Sequence, residues 1–322
     1  MAAAEELAPN LWRIPIPLPA IPGGEHLGFC NAYLIGGEPW VLVDTGMTTD
    51  EAVAALDAGL EEAGVPLEAI DSVLITHHHP DHYGMSRPIR ERSNAKVMIH
   101  RRDIEMIFAG MGGGPDMKDF FYWHGGPKLE GNSSPPILGA PEYQPAAPDA
   151  YLTDDQVFEF EGRKMRVLHT PGHSPGHCCF ALHTEEIVLT GDHILPRITP
   201  HVGYFPGGDE NPLGNFLDSL RKVGECSFRL ALPAHGDPFL DPASHVSRIV
   251  AHHEFRLKAC VDALGKEAKT AAEIIPEIFG SDLPGFHWFA AFFEALSHLV
   301  HAEFEGLIKQ EPDGERIRWR RA

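Results

Sequence analysis

The sequence predicts a mixed α/β fold followed by a small helical domain, on three observations. From Leu11 to Leu232, apolar runs of strand length alternate with segments of helical period. Four short motifs rich in His and Asp each follow one such apolar run. From about Pro242 onward, helical segments succeed one another without strands between them.

The elements follow in order. Leu11-Ile16 and Ala32-Ile35, broken by Pro and Gly, read as a strand meander, and Trp40-Val43 as a buried strand ending at Asp44. Asp50 to Gly64 carries Val53, Leu56 and Leu60 on one stripe, with an N-cap at Thr48, Thr49 or Asp50 and a stop at Gly64. Ser72-Thr76 is the next buried strand. Lys96-His100, a helix from near Arg101, then Met165-His169, Cys178-Leu182, Ile187-Thr190, a helix over Pro212–Val223 and the strand Arg229-Leu232 continue the alternation. Between about 110 and 149 the regularity fails. Gly-rich and Pro-rich punctuation surrounds Phe120, Phe121, Tyr122, Trp123 and His124, the texture of a lid or binding loop. The C-terminal helices are expected over Ala243–Leu264, Thr270–Phe279 and Phe286–Lys309, with a short strand pair around Glu315–Trp319. The expected division is a catalytic domain over 1–241, with its insertion at about 110–149, and a C-terminal domain over 242–322.

Composition narrows the function. The 322 residues hold 43% hydrophobic and 22% charged residues, as ordinary globular proteins do, but also 20 histidines. With 46 acids against 26 bases the formal net charge is −20, which repels a polyanion and disfavours nucleic acid as a partner. Cys30, Cys178, Cys179, Cys226 and Cys260 lack CxxC spacing, so they read as reduced, buried small hydrophobes. No basic-then-apolar leader opens the chain and no apolar run approaches the ~18 residues that span a bilayer, so a reducing cytoplasm and no membrane are expected.

The chemistry lies in Thr76-His77-His78-His79-Pro80-Asp81-His82, an H-x-H-x-D-H pattern directly after a buried strand. A strand end holds the base of a loop rigid while the loop aims several side chains at one point. Imidazole and carboxylate are nitrogen and oxygen ligands that suit zinc, with iron or manganese as competitors. The plain alternative for a run of His is an exposed polar loop. Three further motifs at strand ends argue against it: Pro171-Gly172-His173, Gly191-Asp192-His193 and Pro233-Ala234-His235-Gly236. Glycine beside each lets backbone approach closely.

On these residues the sequence resembles the metallo-β-lactamase superfamily over roughly Leu11 to Gly236. That resemblance implies an αβ/βα four-layer sandwich with metals at the edge between two sheets. It implies that His77, His79 and His173 bind a first zinc, that Asp81, His82 and His235 bind a second, and that Asp192 bridges them. Asp44 matches an acid that accepts the far N–H of a ligand His in this superfamily and fixes its tautomer. His78 is expected to point away, and His193 to be structural. The implied activity is hydrolysis by a metal-held hydroxide, with Asp81 and Asp192 as the catalytic carboxylates and Asp81 taking a proton from the water.

The superfamily spans thioesterases, lactonases, β-lactamases, phosphodiesterases and nucleases, so other residues must choose the substrate. The segment with Ala291, Ala295, Leu296, His298, Leu299, Glu305 and Gly306 resembles a winged-helix extension found in a branch that includes an endoribonuclease. The arginines of Arg316-Ile317-Arg318-Trp319-Arg320-Arg321 could meet phosphates, but their alternation also suits the exposed face of an edge strand. An acidic chain with an aromatic insertion favours a small acyl substrate, an ester, thioester, lactone or amide, touched by Phe121, Trp123 or Tyr204. A homodimer is the prior for any oligomer. The rivals are a phosphodiesterase or endoribonuclease, a mononuclear iron dioxygenase of the persulfide-oxidising type, and a metal-stabilised sensor.

Overall fold

The computed structural model describes residues 3–19, 28–108, 117–128, 143–160 and 162–322. The Gly-rich and Ser-Pro-Pro parts of the expected insertion, at 112–114 and 134–136, lie outside them. In chain order the elements are β1 (Glu5–Ala8), β2 (Leu11–Pro17), β3 (Phe29–Gly36), β4 (Trp40–Val43), α1 (Asp50–Ala63), β5 (Ile70–Leu74), α2 (Pro80–Tyr83), α3 (Ser86–Ser93), β6 (Lys96–His100), α4 (Arg101–Phe108) and α5 (Met117–Trp123). There follow β7 (Ala150–Leu152), β8 (Val157–Phe160), β9 (Arg163–His169), β10 (Cys178–Leu182), β11 (Ile187–Gly191), α6 (Pro212–Gly224), β12 (Leu230–Pro233) and β13 (Phe239–Leu240). The C-terminal part is α7 (Pro242–Ala263), α8 (Ala271–Phe279), α9 (Gly285–Phe304), β14 (Ile308–Asp313) and β15 (Arg316–Arg321).

Two sheets face each other. Strands β1 to β7 form the first in sequence order, antiparallel to β4 and parallel thereafter. The second runs β13-β12-β11-β10-β9-β8. Val41, Val43 and Leu74 of the first sheet meet Val167, Phe180 and Leu189 of the second in a buried apolar core. Helices cover both outer faces. Ala52, Leu56 and Leu60 of α1 pack on the outside of the first sheet, and Leu213, Phe216 and Leu220 of α6 on the outside of the second. This is the four-layer sandwich that the resemblance implies. A strand buried on both faces must be apolar at successive positions, which is why β4 reads as a continuous run rather than an alternation.

Local signals position α1 as expected. Thr49 is the N-cap, its hydroxyl accepting the Ala52 N–H at 3.1 Å, and Gly64 ends the helix at φ +70°. The last helix is shorter than its periodicity suggests. It ends at Phe304, because Gly306 at φ +72° turns the chain into β14. The short strands β1, β7 and β8 carry too few residues to declare a period.

The C-terminal helices build their own core around Phe292, Phe293, Leu296 and Trp319. Two features tie it to the sandwich. The first half of α7 packs Val246 and Ile249 on the second sheet's helical layer, while Cys260 and Ala263 further along join the C-terminal core. Helix α5 of the insertion also belongs there, with Phe121 fully buried against Phe289 and Phe292. The arginines of β15 are engaged within the chain. Arg316 stacks 3.9 Å over Tyr122 and donates to the Gly126 carbonyl, Arg318 meets Asp313 and Glu273, Arg320 meets Glu311, and Arg321 meets Asp262. Among the described residues no helix is long and apolar enough to cross a membrane.

Candidate metal centre

The four motifs converge at one edge of the sandwich. β5 delivers Thr76 to His82, the loop after β9 delivers His173, β11 ends at Gly191 and hands over Asp192, and β12 leads to His235. Two glycines permit the crowding. A Cβ on Gly172 would lie 2.3 Å from the Cβ of Phe216, and one on Gly191 would lie 2.7 Å from Nε2 of His177; both glycines have positive φ.

His77, His79 and His173 face one another: His77 Nε2 lies 2.8 Å from His79 Nδ1, and His173 Nε2 lies 3.2 Å and 3.1 Å from those two atoms. One ligand atom from each of these residues and from Asp192 falls within 4.8 Å of all the others. The outer nitrogens are already committed. His173 Nδ1 donates to the His201 carbonyl at 2.7 Å, and His77 Nδ1 donates to the Thr76 hydroxyl, which in turn donates to Asp44. The inward nitrogens of His77 and His173 therefore carry lone pairs, not protons. Burial, then the neighbouring imidazoles, hold His77 and His79 well below the usual histidine range, and burial lowers His173 too.

The second half is built from His82, His235, Asp81 and Asp192. His82 Nδ1 donates to Asp44 at 2.8 Å and His235 Nδ1 to the Phe29 carbonyl at 3.0 Å, so both Nε2 atoms point inward. His235 Nε2 lies 3.2 Å from Asp81 Oδ2 and 3.4 Å from Asp192 Oδ1. Asp192 stands between the halves, its Oδ2 3.6 Å from Nε2 of both His82 and His173. Burial opposes charge here, yet Asp81 and Asp192 outweigh it, raising His82 strongly and His235 to about 10. Burial likewise opposes the two carboxylates, and the histidines pull both well below the ordinary range.

Hydrogen bonding alone does not satisfy this arrangement. Nε2 of His82 and Oδ1 of Asp192 are buried without a hydrogen-bond partner, and three imidazole nitrogens crowd together with no proton available between His77 and His173. Two nitrogens bound to one tetrahedral zinc lie about 3.3 Å apart, close to the spacings found. The residues thus fit divalent cations.

His78 turns away toward Asp103, at 3.3 Å, and His193 is fully buried against Phe216. Phe121, expected against substrate, is fully buried in the core of the C-terminal helices. Trp123 is partly buried on α5, and Tyr204 packs on Phe120 while its N–H donates to the Phe293 carbonyl. Three residues were missed. Asp103, fully buried on α4, accepts from the His78 N–H, the Ser174 hydroxyl and the Gly176 N–H, lacing two of the motif loops together. Burial opposes its charge, but His78 and these donors keep its pKa low. His177 accepts the Asp192 N–H through Nε2. Cys30 shares a 4.8 Å cluster with His82 and His235, its thiol pushed up by burial and by Asp81, Asp44 and Asp192. None has a local signature beyond its residue type.

Comparison with known proteins agrees with this geometry. A profile of the metallo-beta-lactamase superfamily matches residues 27–235. The chain is 28% identical over 249 residues to the lactamase-like protein nscB of Neosartorya fischeri, covering 76% of this chain and 60% of that protein. It is 26% identical over 281 residues to the atrochrysone carboxyl ACP thioesterase of Emericella nidulans, covering 85% and 72%. The chain thus spans less than two thirds of the first relative's length. Among solved structures, a metallo-beta-lactamase family protein of Thermus thermophilus matches with a TM-score of 0.82 at 31% identity over 98% of this chain and 100% of that one. A beta-lactamase domain protein of Burkholderia ambifaria matches with a TM-score of 0.81 at 28% identity, over 99% and 94%. A profile match over most of the chain, a full-length structural match and a converged set of His and Asp side chains have one common account: the chain belongs to the metallo-beta-lactamase superfamily.

Proposed function

We propose that this protein is a dinuclear zinc hydrolase acting on an acyl substrate, with a thioester first among ester, thioester, lactone and amide. The observation that carries it is Asp192, whose two oxygens stand between the triad His77, His79 and His173 and the trio Asp81, His82 and His235. Two zinc ions held there would supply a hydroxide at neutral pH, by lowering the pKa of water from about 15.7 to about 7, and would polarise the substrate carbonyl.

The chain's own residues do the rest. His77 and His173 present fixed lone pairs because Thr76 and the His201 carbonyl hold their far nitrogens. Asp81, partly exposed at the rim, is placed to take the proton of the attacking water. Asp44 orients His82 by accepting its Nδ1–H, which leaves Nε2 for the metal. A complete second set of ligands favours two metals over a mononuclear dioxygenase. The engaged arginines of β15 favour a structural role for residues 242–322, as a unit supporting the site wall, over a nucleic-acid surface. The thioester preference rests on the relative named as an acyl-carrier-protein thioesterase.

The test is metal content per chain by elemental analysis, paired with a panel of a thioester, a lactone, a β-lactam and a phosphodiester. At least two zinc per chain with thioester turnover is expected. One iron with oxygen consumption, or turnover of the phosphodiester alone, would overturn the proposal.

A further inference from the structure

Away from the catalytic edge, α7 and α9 bring a second group of metal-ligating side chains together. His253 of α7 and Glu294 and His298 of α9 each place one ligand atom within 4.8 Å of the others. Glu294 and His298 are four residues apart, so one helical turn puts them on the same face. His298 donates through Nδ1 to the Glu294 carbonyl at 2.8 Å, which leaves its Nε2 with a lone pair. That lone pair faces His253 Nδ1 at 3.3 Å. The separation is long for an N–H···N hydrogen bond, and it matches the roughly 3.3 Å edge between two nitrogens on a tetrahedral zinc.

The local hydrogen bonds do not fully satisfy this pair of rings. Both are buried, His253 at 1% and His298 at 0% exposure, and Nε2 of His253 has no partner. Nε2 of His252 and Oγ of Ser297, on the adjoining residues of the same helices, are also buried and unpartnered. Arg256 takes Oε1 of Glu294 at 2.9 Å, which orients the carboxylate and leaves its other oxygen available. His253 also lines a groove of about 350 Å³ between α6, α7 and α9, an entry path for an ion and a source of a water ligand.

We propose that His253, His298 and Glu294 form a separate structural site for a divalent transition metal, zinc by its ligand set, that pins α9 to α7. The site has a route to the catalytic edge. The Ala290 carbonyl, one turn before Glu294, lies 3.0 Å from His201 Nε2, and the His201 carbonyl holds His173. The apolar core around Phe292, Phe293 and Leu296 already holds α9 in place, so this link to His173 persists without the ion. Arg256 already balances Glu294, so this ion binds more weakly than the catalytic ones and leaves first under a chelator.

The test is zinc titration of the chelator-stripped full chain, with bound metal counted by elemental analysis, on the wild type and on His298→Gln and His253→Gln. Each variant is expected to bind one equivalent fewer than wild type, while its initial rate in the catalytic assay at saturating zinc stays within twofold. The difference of one equivalent tests this site whatever number the catalytic cluster holds, so its failure is distinct from failure of the dinuclear reading. Equal stoichiometry in wild type and variants overturns the proposal. Should the variants not fold, zinc-edge anomalous scattering from crystals of the unchanged chain decides: a peak between His253 and His298 is expected, and its absence at millimolar zinc refutes the site.

Discussion

Oδ2 of Asp44 lies 2.8 Å from Nδ1 of His82, and the same carboxylate takes the N–H and the hydroxyl of Thr76, each at 2.8 Å. One acid at the end of β4 thus sets the tautomer of His82 and, through Thr76, that of His77. Asp44 sits at φ +59°, a conformation uncommon for a residue with a side chain, which aims its carboxylate across the strand ends.

Asp44→Asn tests this relationship. An amide offers one accepting oxygen and one donating NH2, so at least one of the three donors faces another donor. Metal affinity at the His82 end of the cluster is expected to fall about 10- to 100-fold, read by chelator competition. Unchanged affinity would show that Asp44 only caps its turn.

Asp103→Ala tests the lacing of the motif loops. It strands the His78 and Gly176 N–H groups and the Ser174 hydroxyl in a buried place. Each stranded donor costs about 1–3 kcal/mol. Denaturant unfolding should show a loss of several kcal/mol, and metal affinity at His77, His79 and His173 should drop. A variant as stable as wild type would mean that these loops hold without it.

Phe121→Ala distinguishes a core role from a lid role. A fully buried Phe replaced by Ala costs about 3–5 kcal/mol. The midpoint of unfolding should fall accordingly, with KM nearly unchanged. A raised KM at unchanged stability would place Phe121 against substrate after all.

His124 should give stability a measurable pH dependence. Burial lowers its pKa to about 4, and its ring stacks on Trp319. In the unfolded chain the ring titrates near 6.5. The folded state therefore binds fewer protons between these values, so the contribution is complete above about pH 6.5 and is lost as pH falls toward 4. The slope is at most about 1.4 kcal/mol per pH unit. His124→Phe should remove that slope from a series of urea midpoints between pH 7 and 4.5; identical slopes would contradict a buried neutral ring.

Local features are legible in the order of residues alone. The strand runs, the caps of α1 and the motifs at strand ends can be read there because their periods and turn residues act within a few positions, and the H-x-H-x-D-H spacing sets its side chains on one short loop. Folding settles what depends on distant pairing. The Asp44 to His82 bond spans 38 residues and the Asp103 to Gly176 bond 73, and each exists only because strand ends meet at one edge of the sandwich. Phe121 reads as a lid aromatic until α9 covers it, and the β15 arginines read as phosphate contacts or as an exposed edge-strand face until Glu273, Glu311, Asp262 and Asp313 reach them. Periodicity encodes which face of an element is apolar. It does not encode which partner that face meets, because burial and ion pairing are set by chain segments that only folding brings into contact.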